Sequence, residues 1–474
     1  MGQFVLEKKK YKSYEVLRFA FKASPPGMVL SVLLPAVQSA VQTAVTALAT
    51  ANFVDTATSI LQSAGPFQDI YPALALVLLT LGIVNIIGSG AGLAASKVRV
   101  NLQRSLKPAI VKVLASLEYK HIEDEKSWEL ISRVSRDPVK AIADGADAFI
   151  QFAQIIVSVA SVFLLIASQV WWAALIIFSF SVPMFALSMR AGKKNYQAER
   201  DAESFNRRTE YLGEVLTGRE TVEERTLFGY SDAVNRVWQE QYEAGRKLQL
   251  GVTARNFMIS KGSSMLLALI SLLVALTLIA PVVSGRMSAG MFMGIVSAVF
   301  GMVQKLGFQM SRSLENISRA GEYMKDLSEF TALSEAEGSL TEPDDTPVEV
   351  DSLEFHKVRF AYPGSGKYIL DGLSFRLDAG RHYAFVGKNG AGKTTITKLL
   401  TGLYTEYEGE ILVNGKELRE YPTGAVKAMF SVVYQDFARY YIEMKENIAL
   451  GDVHSKGKEA EAAHLSKGTN FNTK

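Results

Sequence analysis

Uncharged apolar runs from Gly27 to Asn52 and from Pro72 to Ala95 are each long enough to cross a bilayer, which takes about 20 residues. They predict spans one and two. No charged residue occurs from Ala148 to Met189, and a run about twice a crossing in length predicts a hairpin of two spans, cut near Ser168 to Trp171. Trp171 and Trp172 suit the interface there. Gly262 to Ser284 and Met287 to Gln304 predict spans five and six around a very short turn at Gly285-Arg286. The first two-thirds of the chain therefore predicts an all-α, six-span transmembrane domain.

Lysine and arginine gather between these runs on one side. The segment between spans two and three carries Lys97, Arg99, Arg104, Lys107, Lys112 and further cations, and the segment from Arg190 to Lys261 is similarly basic. The other side holds Asp55 and Asp69 in the first loop and only Arg286 in the third, so both termini are predicted to be cytoplasmic in a multi-pass cell-membrane protein. The basic segments are nearly free of proline. Positions such as Leu106, Ile110, Val113, Leu114 and Leu117 repeat at helical spacing, which predicts that the spans continue as long cytoplasmic helical extensions. Ile122 to Arg133 and Leu216 to Asp232 are candidates for short crossing helices at the far ends. Before span one, Tyr14 to Phe21 reads as an amphipathic helix lying on the membrane surface, because Glu15, Arg18 and Lys22 interrupt any signal-peptide core.

After span six, Ser311 to Leu333 is polar with a helical pattern. Residues 334–351 form an acidic, proline-containing linker, and Leu353 to Phe360 and Leu373 to Leu377 alternate as strands do. The predicted organisation is a transmembrane domain over 1–333, the linker over 334–351, and a second, cytoplasmic domain over 352–474. Composition narrows the chemistry. The 474 residues include no cysteine, and the five histidines are dispersed without metal-ligand spacing, so thiolate chemistry and a histidine metal centre are excluded. All five histidines read as structural or solvent-facing. A net charge of only +3 gives no reason to expect a nucleic-acid partner.

The chemistry-bearing stretch is Gly387-Lys388-Asn389-Gly390-Ala391-Gly392-Lys393-Thr394-Thr395, which fits G-x-x-x-x-G-K-[ST]. An apolar strand at His382-Tyr383-Ala384-Phe385-Val386 is expected to feed it, and Ile396 to Leu400 to continue it as a helix. Backbone N–H groups of such a loop point at a phosphate chain lying on a helix N-terminus. Lys393 is positioned for the β and γ phosphates of ATP and Thr394 for Mg²⁺.

Spans, extensions and phosphate loop together resemble the exporter type of ABC transporter half-subunit, and the resemblance covers the whole chain. Phe360-Ala361-Tyr362-Pro363 is similar to the aromatic loop of that family, which implies that Tyr362 stacks on adenine. Gly409 to Gly415 resembles its strand and turn after the phosphate-loop helix. Ser431-Val432-Val433-Tyr434-Gln435-Asp436 resembles its glutamine loop, with Glu446 to Asp452 following as in the family. The resemblance implies that Gln435 follows a buried strand and reaches Mg²⁺ or the attacking water, making Lys393 and Gln435 the catalytic candidates. It also implies a second half-subunit, in a homodimer or heterodimer, surrounding membrane lipids, and ATP-driven export of a peptide, lipid or drug. The turn from Gln435 to Tyr440 most resembles bacterial peptide exporters such as those of lantibiotics.

The LSGGQ-type signature, the apolar strand ending in Asp-Glu and the switch histidine do not occur before Lys474. Leu465-Ser466-Lys467-Gly468 is not a signature, because Lys467 stands where a glycine N–H must approach phosphate. The expectation is an α/β nucleotide-binding domain cut short, with the strand before the phosphate loop left as an unpaired edge. A non-hydrolysing regulatory or structural subunit of a heterodimer is the alternative function, and an importer on the same six-span fold shares every feature quoted. Gln38, Gln42, Asn85, Gln151 and Gln154 inside the spans either line a path or, more commonly, bond between helices.

Overall fold

A computed structural model describes residues 4–63, 65–169, 205–305, 309–344, 348–434 and 440–451, with the single positions 179 and 346. Gln435, the region of span four with Trp171 and Trp172, and Leu465 to Gly468 lie outside the described residues. The chain divides into two units, Met1–Ser339 and Leu340–Lys474.

The first unit is helical. After α1 (Glu15–Ala23), α2 (Pro25–Ala40) runs through one wide π-turn (Val41–Val45) into α3 (Thr46–Ser63), and α4 (Ile70–Ser116) returns. Short helices α5 (Tyr119–Glu123) and α6 (Glu125–Arg136) precede α7 (Pro138–Gln169). Beyond the helical stretch 205–217 come α8 (Val222–Phe228), α9 (Ser231–Val283), α10 (Ala289–Gln304) and α11 (Met310–Ala332). Pro25–Ser63, Phe67–Ser116 and Pro138–Ser168 are long and apolar enough to cross a membrane, and Ser271–Val283 and Ala289–Met302 are shorter apolar helices. At ~1.5 Å per residue the 47 residues of α4 extend about 70 Å, far beyond a bilayer core of about 30 Å. Leu78, Leu79, Ile86 and Leu93 on α4 are exposed, the outward apolar surface that lipid would cover.

Two apolar clusters hold this unit together. One joins Val16, Leu102, Leu106, Ile131, Val134, Ile142, Met324, Leu327 and Phe330, drawn from α1, α4, α6, α7 and α11. The other joins Ala47, Ile155, Val162, Leu278, Ile295, Val299 and Met302, where the apolar helices meet. Helix α1 thus differs from the expectation of a helix floating on lipid. Val16 and Ala20 are fully buried and Phe19 nearly so, because the apolar stripe finds protein rather than acyl chains to cover it. Span one also extends past Asn52, and Asp55 lies inside α3 rather than in a loop. Its Oδ1 accepts from the Gly290 N–H at 2.7 Å, supplying an acceptor to the open start of α10. The candidate crossing stretches begin and end elsewhere than expected. Asp124 caps α6 by accepting from the Ser127 N–H at 2.8 Å, which starts the helix at Glu125, and Gly229 in the left-handed region stops α8.

Residues Ser334 to Ala336 are tied back onto the end of α4. Leu117 pairs with Glu335 as an antiparallel bridge, the Ala336 N–H donates to Ser116 O at 2.8 Å, and the Glu118 N–H donates to Ser334 O at 3.1 Å. His121 Nε2 lies 2.8 Å from Ser334 Oγ, and burial, then the neighbouring Lys120, hold the imidazole below its ordinary value. A histidine whose folded pKa is depressed leaves full stability above the free value of about 6.5 and loses it as pH falls toward the folded value. Exchange of the Ala336 amide, corrected for its intrinsic rate, is therefore expected to accelerate between about pH 7.5 and pH 5.5, and the acceleration to vanish in His121→Gln. Equal acceleration in that variant would remove His121 from the tie.

In the second unit, β1 (Ser352–Phe360) lies between β2 (Leu370–Asp378) and β3 (Glu408–Val413), and β4 (Lys416–Glu417) pairs with β3, all antiparallel. The alternation along β1 slips by one residue between Phe355 and Val358, where Lys357 has φ +46° and the register shifts, so both apolar side chains face inward. Gly409, at φ +86°, lies so close to this bulge that a Cβ would sit 2.5 Å from His356 O. Helices α12 (Lys393–Leu400), α13 (Thr423–Met429) and α14 (Met444–Ala449) complete the described part. Thr341 and Asp344 are fastened to α13 through Lys427 Nζ and the Gly424 carbonyl.

Two expected strands are not present. Residues 381–388 and 431–434 have no regular structure, and Val386 and Val433 are 94% and 90% exposed. A strand persists only through its ladder, and among the described residues no strand lies beside either segment to satisfy its N–H and C=O groups.

Candidate functional site

The glycine loop begins in the exposed segment before Gly387 and closes directly into α12. Gly390 and Gly392 have φ of +82° and +86°, backbone that a side chain would strain. A Cβ on Gly392 would also lie 2.7 Å from Leu370 Cδ2, so the loop rests on the start of β2 with no room to spare. Within the loop the Ala391 N–H donates to Lys388 O at 3.1 Å, and the Ile396 N–H donates to Gly392 O at 3.1 Å as the first helical bond. Burial of Ile396 and Leu399 fixes the helix from below. Its N-terminal amides consequently open toward the exposed loop, a cradle for negative charge.

Lys393 is the first residue of α12. Its Nζ donates to Gly387 O at 2.7 Å and to Lys388 O at 3.1 Å, so the ammonium is folded across the loop that it would share with a phosphate. Thr394 is exposed at the helix start, whereas Thr395 is buried. The two adjacent threonines are thereby divided in role. Thr395 Oγ1 lies 3.0 Å from Tyr362 Oη and joins the aromatic loop to the helix, leaving the Thr394 hydroxyl on the outer side. Lys388, Asn389, Gly390 and Ala391 are exposed with Gly387.

Tyr362 is held by more than Thr395. Its ring meets Phe360 and Tyr404 edge-on, with centroids 5.1 Å and 5.5 Å away, and Lys398 Nζ stands 5.2 Å from its centre. Phe360, at the end of β1, anchors the loop, and Tyr404 follows the turn at Gly402 after α12. The structure thus brings Tyr362, Thr395 and Lys393 to one end of α12. Tyr404 and Lys398 were not foreseen in the sequence. The Gly402 turn placing an aromatic residue one helix length beyond the loop was the available signal. Gln435, expected to complete the site, lies outside the described residues, and the segment leading to it is exposed rather than a buried strand. Among the described residues no cluster of histidine and carboxylate side chains could hold a metal by itself. A cation at Thr394 would therefore need phosphate oxygens as co-ligands, and the exposed hydroxyl beside the glycine cradle fits Mg²⁺ delivered with ATP.

A helical unit with apolar crossings joined to a glycine loop on an antiparallel sheet defines a membrane protein with a nucleotide-binding unit. The chain belongs to the ABC transporter family: its residues 28–306 match the ABC transporter transmembrane region and residues 370–473 the ABC transporter domain. It is 25% identical over 377 residues to the subtilin transport ATP-binding protein of Bacillus subtilis, covering 75% of this chain and 58% of that protein. It is similar, at 26% over 366 residues, to the ATP-dependent lipid A-core flippase of Yersinia pestis, with coverage of 74% and 60%. The nisin transport ATP-binding protein of Lactococcus lactis is 23% identical over 383 residues, with coverage of 79% and 62%. The chain spans about three fifths of the length of these curated relatives.

Proposed function

We propose that this chain works within a dimeric, ATP-driven exporter of an amphipathic or hydrophobic substrate, a peptide or a lipid. The observation that carries the reading is the glycine loop closing onto the N-terminus of α12 in the same chain as helices long enough to cross a bilayer. Relatives named for subtilin, nisin and lipid A-core transport support both substrate classes. In this reading the loop from Gly387 to Thr395 holds the ATP phosphates, Lys393 reaches the β and γ groups, Thr394 and Gln435 take Mg²⁺, and Tyr362 covers the adenine. Bound ATP supplies the free energy of closure between two such subunits, and the spans respond by changing the side to which they open. The reading carries six spans, on the length of the apolar runs, and both termini cytoplasmic, on the placement of lysine and arginine. Residues 352–474 are the N-terminal part of the ATP-binding domain, a reading supported by the bare apolar side chains of Val386 and Val433.

The test uses the complete protein in inverted membrane vesicles with a fluorescent amphipathic peptide and a fluorescent phospholipid. ATP is expected to drive accumulation of one of them inside, and a non-hydrolysable analogue is expected to drive none. Accumulation indifferent to nucleotide would end the ATP-driven reading. ATP-driven loss from preloaded inverted vesicles would make the protein an importer.

A further inference from the structure

Composition ends span six at Gln304, where α10 also ends, and the charged residue that follows turns its ammonium onto neighbouring helices. Lys305 Nζ donates to Ser158 Oγ at 3.0 Å and to Ser39 Oγ at 3.4 Å. Ser39 follows the start of its apolar run at Gly27 by enough residues to lie about 18 Å deep at ~1.5 Å per residue, and Ser158 lies about 15 Å beyond Ala148 by the same measure. Counted along span six from Met287, Lys305 lies about 27 Å from the opposite end at ~1.5 Å per residue, so the three rulers together put the ammonium in the cytoplasmic half of a hydrocarbon core of about 30 Å.

What surrounds it is polar but neutral. The Thr43 hydroxyl donates to Ser39 O at 2.8 Å and lies 3.2 Å from Ser158 Oγ, so the Ser158 proton points to Thr43. The Ser39 hydroxyl is directed at Gln154 O, 3.5 Å away. Each hydroxyl hydrogen is thus turned from Lys305 and each oxygen toward it. Ser158, Ser39 and Thr43 are buried at 1%, 7% and 8% exposure, forming a floor, while Lys305 itself is only half-buried. No carboxylate pairs with Lys305 among the described residues, and the third ammonium N–H has no protein acceptor there. Thr43 belongs to the π-turn Val41–Val45, an interruption of regular helix that recurs at functional sites. An ionisable side chain inside a membrane unit is retained where it meets a substrate path or a partner charge, and among the described residues no partner charge meets Lys305.

The geometry points to a binding site for the anionic head group of a transported amphiphile, a phosphate or a carboxylate, at Lys305 on the Ser39, Thr43 and Ser158 floor. This rests on the export reading and narrows its substrate class. The two nitrogen–oxygen contacts fix the direction of the ammonium, and the remaining N–H is left to meet the anion, which replaces the missing counter-charge.

The complete protein in nanodiscs of zwitterionic lipid, without nucleotide, is titrated with radiolabelled dodecyl phosphate, dodecanoate and dodecyltrimethylammonium. At least one anionic probe is expected to bind about tenfold or more tightly than the cation. Lys305→Gln is expected to erase that preference and Lys305→Arg to keep it within about threefold. The ratio of phosphate to carboxylate affinity assigns the head group. Equal binding of anion and cation by the unaltered protein overturns the inference, and does so even if Lys305→Gln fails to insert. An undiminished preference in a well-inserted Lys305→Gln overturns it as well. Displacement of the probe by inorganic phosphate at equal concentration would assign the site to a small free anion and overturn the amphiphile. Because no nucleotide is present, the outcome is separate from ATP-driven accumulation in vesicles.

Discussion

Gly290→Ala is expected to loosen the membrane unit, although alanine is the better helix former by up to about 1 kcal/mol. A Cβ on Gly290 would stand 1.9 Å from Ala51 O and 2.8 Å from Asp55 Cγ, and one turn further along, a Cβ on Gly294 would stand 2.6 Å from Ala47 O. Both obstacles include backbone, which cannot turn aside as a side-chain tip can. Small residues on both helices let α3 and α10 approach this closely, the packing that holds apolar helices together where water offers no driving force. The added methyl must push the helices apart, breaking the Gly290 N–H to Asp55 bond with the contact. Overpacking costs typically 1–3 kcal/mol, and the rigid obstacle puts this case at about 3 kcal/mol or more. Thermal unfolding in nanodiscs is expected to fall by roughly 6–12 °C. Gly301→Ala, on the same helix with nothing within 4 Å of its Cβ, is the control and is expected to hold or gain stability. Equal behaviour of the two variants would refute the close approach.

The same pair of helices shows what the sequence could and could not convey. Long apolar runs announce helices because every residue contributes to a local repeat, and α4 and α9 continue past their apolar portions as the helical pattern of the charged segments requires. Asp55 reads as lying in a loop beyond span one, yet it is inside α3. Its carboxylate accepts from the open start of α10, and the ammonium of Lys305, just past the end of α10, donates to hydroxyls from two neighbours. Neither partner is visible along the chain. Of the polar residues inside the spans, Gln38 bonds across helices to Val84 O and Gln151 to Ser313, the commoner outcome.

Strands in the second unit follow the same logic. Residues 352–360 alternate and find two neighbours, whereas His382 to Val386 and Ser431 to Tyr434 carry strand-forming residues without neighbours among the described residues. The phosphate loop was legible because its geometry is set within a few residues. Positive-φ glycines and a helix start need no distant partner, and the motif specifies both. The pairing of Tyr362 with Thr395 was not legible, since it depends on β1 delivering the aromatic loop beside α12.

Lys393→Ala in the complete protein is expected to lower ATP turnover by about 10- to 100-fold or more. The estimate takes one charge-assisted hydrogen bond to phosphate at about 1.5–3 kcal/mol, with each 1.4 kcal/mol a factor of ten. Two effects combine. The cation that in the proposed reading meets the β and γ phosphates is lost, and with it the bonds from Nζ to Gly387 O and Lys388 O across the loop. Lys393→Arg separates them, because it restores the charge but replaces a compact ammonium with a planar fork too wide for two carbonyls of one tight turn. Nucleotide affinity in the arginine variant is expected to recover partly and turnover to stay low. Membrane insertion and the thermal transition of the helical unit are expected to match the parent in both variants, since Lys393 belongs to the other unit. Turnover at the parental rate in Lys393→Ala would show that the loop does not hold the reacting phosphates, whatever the spacing of its glycines.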